Sequence, residues 1–115
     1  MTRRAVVSLL MLFVFVPLPL LAAASPDELY AQGRYEEARQ GYEKLGLDNP
    51  SDLRLRYNRG CAAFMEGKFD EAKAAFSSVV RRSQDDDMRF RSLYNLGNTA
   101  FRQHDFSSAR EYYRD

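Results

Sequence analysis

The chain has one cysteine, Cys61, and one histidine, His104. A thiol and an imidazole in contact make an activated nucleophile and its base. Here the two are 43 residues apart, and the local patterns put Cys61 inside a helix and His104 at a turn in another unit. No catalytic pair is expected from them. One His and one Cys also make a poor zinc set. The triplet Asp85–Asp87 invites a calcium reading, but it lacks the alternating ligands and central glycine of a calcium loop. Carboxylates at a helix N-terminus account for it. Gly60 and Gly97 are isolated within helical patterns, so no phosphate-cradling loop is present. The expectation is a protein that is not an enzyme, with no cofactor and no metal.

Bulk charge points the same way. Seventeen basic residues face sixteen acidic ones in 115 residues, giving a net charge of +1. No strong field selects nucleic acid or an anionic membrane. A lone cysteine excludes an internal disulfide. Tyr and Phe total 15, enough aromatic volume for a modest core.

The first residues stand apart. A basic start, "MTRR", precedes the uncharged run "AVVSLLMLFVFVPLPLL" and then "AAAS". Basic, apolar, small is the order of a secretory signal peptide. Ala22 and Ala24 suit a signal peptidase, so residues 1–24 are expected to be removed by a cut before Ser25. The alternatives are an uncleaved membrane anchor, weakened by Pro17 and Pro19, and a twin-arginine signal at Arg3-Arg4. Cleavage leaves 15 basic against 16 acidic residues, a near-neutral exported domain over 25–115. The expected location is the periplasm or cell envelope of a bacterium. Export, or a retained signal, would be its sole link to a membrane.

The domain repeats itself. "GRYEEARQGYEKL" (33–45), "GKFDEAKAAFSSV" (67–79) and "HDFSSAREYYRD" (104–115) align on Ala38, Ala72 and Ala109. An aromatic residue sits three before and four after each alanine, offsets that share one helical face. A second shared stretch precedes two of the turns: "YNRGCAAFMEG" and "YNLGNTAFRQH". A mid-helix glycine costs about 1 kcal/mol in propensity and persists where another helix packs close. The alanines of the following helices are the expected partners of Gly60 and Gly97. The linkers "GLDNPSD" and "SQDDD" supply stop and cap residues, with Gly46 as a helix stop and Ser51 or Asp52 as a cap. The predicted map is six helices, near 26–32, 35–45, 52–66, 69–82, 86–103 and 106–114. Ser25-Pro26 caps the first.

A 34-residue helix–turn–helix with these residues resembles the tetratricopeptide repeat. The resemblance rests on Tyr57, Asn58, Gly60, Phe64, Gly67, Phe69, Ala72 and Phe76 in the middle unit. Tyr94, Asn95, Leu96, Gly97, Asn98, Phe101, Phe106, Ala109 and Tyr113 carry it in the last. The first unit supplies Gly33, Tyr35, Ala38, Tyr42 and Pro50. A narrower resemblance is to exported repeat proteins encoded near von Willebrand-type A proteins in aerotolerance-type operons. The chain departs from the repeat in its shortened first helix, in Arg59 for the usual Leu, and in His104 for the turn glycine. His104 must then take a left-handed conformation or alter the turn.

The resemblance implies an all-α fold of stacked units in a right-handed superhelix. Its repeats lie near 25–51, 52–85 and 86–115, the last incomplete, about two and a half in all. The leading helices line a concave groove. The residues it assigns there are Arg54, Tyr57, Asn58, Cys61, Arg91, Tyr94, Asn95, Asn98 and Arg102. That wall has amides, phenols and guanidiniums and no carboxylate between these positions. Asn can hold a backbone amide by donating and accepting at once, and Arg can pair with carboxylates. The bland roles are packing for the tyrosines, helix-to-helix bonding for Asn58 and Asn95, and solvation for the arginines. Cys61 reads as a half-buried thiol, with an intermolecular disulfide or redox sensing as alternatives. Tyr113 is expected to pack inward and Tyr112 to face a following helix.

The expected function is a scaffold that holds a peptide segment of another protein. The alternative is a structural stretch of a larger solenoid or envelope-assembly factor. The last helix ends within its own consensus, so a following helix of a longer protein is expected to cover it. Otherwise that end offers a route to self-association.

Overall fold

The computed structural model describes residues 23–115, so the predicted signal peptide falls almost wholly outside the described residues. Six helices follow one another: α1 (Pro26–Ala31), α2 (Tyr35–Asp48), α3 (Leu53–Met65), α4 (Phe69–Arg82), α5 (Asp86–Arg102) and α6 (Phe106–Arg114). Each packs chiefly on its neighbours in sequence, which is how a stack of helix–turn–helix units is built. Among the described residues no helix is long and apolar enough to cross a membrane.

The three tight turns share one construction. Gly33, Gly67 and His104 all have positive φ, at 76°, 77° and 61°. Each donates its N–H to a carbonyl three residues back: Tyr30, Phe64 and Phe101. The next residue in each case reaches five back, to Leu29, Ala63 and Ala100. This double closure satisfies the last carbonyls of the helix and needs a left-handed residue. A ring pair clamps every turn edge to face: Tyr30 with Tyr35, Phe64 with Phe69, Phe101 with Phe106. His104 therefore performs the glycine's task, its ring resting near Phe106.

The unit interiors are set by close approach. A Cβ on Gly60 would lie 2.9 Å from the Phe76 ring, and one on Gly97 would meet the Tyr113 ring closer still. The sequence pointed to the alanines as partners of these glycines. The close partner is instead the aromatic residue one turn beyond each alanine. In the first unit the roles reverse, because Gly41 on α2 receives the Pro26 ring of α1. Ala63, Ala72, Phe76 and Leu96 form one core cluster, and Ala38, Tyr42 and Ala62 the other.

Helix ends follow their caps. Ser25 and Glu28 make a reciprocal capping box on α1, with Pro26 as first residue. Asp52 caps α3, Asp85 caps α5, and Asp105 caps α6. The predicted stop at Gly46 is corrected, since α2 continues to Asp48. One glycine weakens a helix without ending it. The actual stop is Asn49, whose backbone leaves the helical region ahead of Pro50, with its side-chain amide donating to the Leu45 carbonyl.

Between units, the Arg39 guanidinium meets Glu66 at 2.6 Å, both nearly buried. The bond to Glu66 holds the Arg39 pKa above its ordinary value. Gln103 donates to Asp70 at 2.8 Å across the next boundary.

Replacing His104 with glycine tests the turn. A non-glycine residue at positive φ is strained by roughly 1–2 kcal/mol. Glycine's greater unfolded-state entropy offsets part of that. His104→Gly should raise the urea midpoint, by on the order of 1 kcal/mol in stability. A fall of similar size would show that the histidine ring's contact outweighs the strain.

Candidate functional site

Helices α1, α3 and α5 present one continuous face. Two hollows lie along it and share Arg54 and Asn58. The one between α3 and α5 has a volume of about 230 Å³ and is lined by Arg54, Tyr57, Asn58, Asp85, Asp87, Met88 and Arg91. The one toward α1, about 280 Å³, adds Ser25, Pro26, Asp27, Tyr42, Leu45, Asp52 and Leu55.

A hydrogen-bonded seam crosses the face. Asn95 Nδ2 donates to the Tyr57 hydroxyl at 2.8 Å, joining α5 to α3. Asn98 Nδ2 donates to Asn95 Oδ1 at 3.4 Å. Tyr113 donates its hydroxyl proton to Asn98 Oδ1 at 2.7 Å. Asn95 also anchors its own helix, since its carbonyl accepts from Thr99 Oγ1. One turn beyond Tyr57, the Cys61 thiol interacts with the phenol. Burial pushes the Tyr57 phenol up to about 12, and the neighbouring Cys61 adds to that. Burial likewise pushes the Cys61 thiol up to about 11, against a smaller opposing pull from Tyr57. Both groups are therefore neutral at pH 7. Cys61 is half-buried against the core, and His104 is exposed at its turn on another unit.

Asn58 differs from the other two asparagines. Its half-buried side chain makes no hydrogen bond among the described residues and borders both hollows. Its donors and acceptor are open to an incoming backbone amide.

The charges on this face come in pairs. Arg54 bonds Asp52 through Nε at 3.2 Å and Nη2 at 3.1 Å. The Arg54 guanidinium in turn holds the Asp52 carboxyl below its usual range. Arg91 Nε lies 2.9 Å from Asp87 one turn back. These pairs are exposed, so either member can exchange its partner for a ligand's charge at little cost. The sequence indicated no carboxylate between the assigned positions, with several at both ends of the domain. That is corrected: Asp85 and Asp87 share the α3–α5 hollow with Arg54 and Arg91.

The other assigned residues lie elsewhere. Arg102 reaches over the Phe64 and Phe69 rings, at 5.6 and 5.1 Å from their centres, as a cation resting on aromatic faces. Tyr94 pairs with Tyr113 at 5.7 Å and lines a hollow at the C-terminal end of the stack. Tyr113 is the more exposed of the terminal tyrosines, while Tyr112 packs against the core cluster. Tyr113 packs inward on Gly97 as expected while keeping an exposed edge, and Tyr112, expected toward a following helix, packs on the core instead.

Sequence reasoning missed Asp85, Asp87, Met88 and Tyr113. The Asp87–Arg91 spacing of four was a usable signal. The contribution of Ser25 and Asp27 had none, since the first leading helix was read as truncated.

The tetratricopeptide repeat family model matches the chain twice, over residues 27–87 and 57–115. The match is to the repeat and does not extend to the narrower operon grouping. A comparison with curated proteins gives no match.

The Cys61 environment sets a pH dependence. A thiol raised from 9.0 to about 11 holds its proton more tightly in the folded chain. Its contribution to stability is full below pH 9 and is lost as pH rises through about 11. At pH 7, iodoacetamide should label native Cys61 roughly 100-fold more slowly than the urea-unfolded chain, each pKa unit being tenfold in thiolate. Equal labelling rates would remove the buried-thiol assignment.

Proposed function

Because the chain belongs to the tetratricopeptide repeat family, we propose that it holds an extended segment of a partner protein along α1, α3 and α5. Tetratricopeptide repeats mediate protein–protein interactions, and the family is typically non-catalytic. The proposed place of action is the periplasm or cell envelope, after removal of residues 1–24. The reading includes no turnover, cofactor, metal or nucleic acid.

The observation that carries it is the uncommitted Asn58 amide between two joined hollows, beside a seam that is already fixed. Tyr57, Asn95, Asn98 and Tyr113 hold one another in place, so little ordering entropy remains to be lost on binding. Asn58 would take the peptide backbone. Arg54 and Arg91 would exchange Asp52 and Asp87 for acidic side chains, and the freed aspartates would accept basic ones. Tyr94 and Arg102 support the wall from its ends.

Asn58→Ala separates binding from folding. With partner captured from a periplasmic extract and re-tested as purified protein, affinity should fall by roughly five- to tenfold, about one hydrogen bond. Thermal stability should stay unchanged, since no internal bond is removed. Unchanged affinity would sink the groove reading.

A second reading is favoured by one observation. Phe90 is 66% exposed, Tyr94 55% and Tyr113 47%, and all three border the hollow of about 310 Å³ at the C-terminal end. On this reading the chain is a structural segment of a larger assembly, joined through that end. Phe90→Glu should then convert self-associated protein to monomer in sedimentation velocity. A wild-type chain that is monomeric at all concentrations tested would remove self-association as its role.

A further inference from the structure

Four arginines gather where α3 meets the end of α4, away from the seam. Arg56 and Arg59 lie one turn apart on α3 and border a hollow of about 270 Å³ at the α2–α3 connection. The Arg56 guanidinium donates to Ser78 Oγ on α4. Arg81 and Arg82 follow Ser78 by three and four residues, on the same face of α4. Burial lowers the Arg56 pKa, and Arg82, Arg59 and Arg81 lower it further, in that order. The only polar partner among these contacts is a neutral hydroxyl.

Carboxylates lie nearby without pairing with these arginines: Glu43 and Glu71 border a further hollow with Arg59. Among the described residues none of the four forms an ion pair. The two carboxylates that border the α2–α3 hollow have other partners: Glu43 lies 3.8 Å from Arg39, and Asp52 lies 3.1 Å from Arg54. Of the acidic triplet after α4, Asp85 caps α5, Asp87 pairs with Arg91, and Asp86 is exposed in the first turn of α5. Like charges held together without an anion repel. Guanidinium groups are also the cations whose planar fork takes both oxygens of a carboxylate.

The neighbouring wall is apolar. Leu47 is 79% exposed and lines the same hollow as Leu55 and Pro50. A free phosphate would fill a fraction of that volume and leave Leu47 in water. A segment that carries carboxylates and an apolar side chain covers both halves.

We propose that this is a second docking site, which takes an acidic segment of a partner protein. Its carboxylates sit on Arg59, Arg81 and Arg82, and an adjacent apolar side chain enters the hollow between Leu47, Leu55 and Pro50. Arg56, held by Ser78, supplies the fixed inner charge. The site shares no arginine with the α3–α5 hollow, although Tyr42, Asp52 and Leu55 also border the groove's hollow toward α1.

The test uses protein from the full chain and a fluorescein-labelled peptide of repeating Leu-Glu-Glu units, read by anisotropy. Arg81→Ala with Arg82→Ala, both exposed, should retain helicity and weaken binding roughly tenfold or more. Arg59→Ala should weaken it in the same direction, and rising salt should weaken the wild type. The arginine variants are also compared in an Asn58→Ala background, which removes the groove amide, and their effects should persist there. Equal binding of the Leu-Gln-Gln peptide would overturn the proposal, as would full affinity in the double variant. Loss of the arginine effects in the Asn58→Ala background would overturn it by assigning the peptide to the groove. Binding of inorganic phosphate or phosphatidylglycerol vesicles without peptide binding would overturn the choice of a protein partner.

Discussion

A ring seated on a helical glycine governs this structure. Phe76 against Gly60 and Tyr113 against Gly97 let the two helices of a unit approach more closely than any side chain at the glycine would allow. Packed interiors tolerate little slack, so that approach fixes helix separation to tenths of an ångström. The leading helices are then held in register from one unit to the next. The consequence appears 38 residues away in sequence, where Asn95 reaches the Tyr57 hydroxyl. The polar seam is downstream of an apolar contact.

The turns make the same point from the backbone. Three left-handed residues, each flanked by an edge-to-face ring pair, reverse the chain identically. Identical reversals are what allow identical stacking. The two unit boundaries are tied differently: Arg39 to Glu66 by a nearly buried ion pair, Gln103 to Asp70 by an exposed amide bond. A nearly buried pair loses much if one member is removed, whereas an exposed bond loses little. The first boundary is therefore the more committed of the two.

Much of the architecture was legible in the residues. The span of α4 is as the pattern predicted, because alanine, flanking aromatics and a turn residue all act within a few positions of one another. The end of α2 was misread, because Gly46 looked like a stop while Asn49 and Pro50 supplied the real one. The groove list was legible only as a helical face. Arg54, Tyr57, Asn58 and Arg91 do share one hollow. Arg102 lies on aromatic rings, and Tyr94 at the end of the stack. Long side chains of one helical stripe diverge according to what the neighbouring helix offers, and that neighbour is not encoded in the stripe.

The sequence alone determined the repeat, the helix count, the turn positions and the family, since these follow from spacing along one chain. Backbone hydrogen bonds in helices and turns span at most five residues, so short motifs are enough to specify them. Tertiary structure alone decided which polar groups are committed and which are open. Asn95 is bonded and Asn58 is not, although both follow a tyrosine in the same motif. Four arginines on two helices meet without forming an ion pair among the described residues, although acidic residues are nearly as common as basic ones. Such pairings depend on distances across helices, fixed by ring-to-glycine contact and by rotamer, and no local pattern carries them.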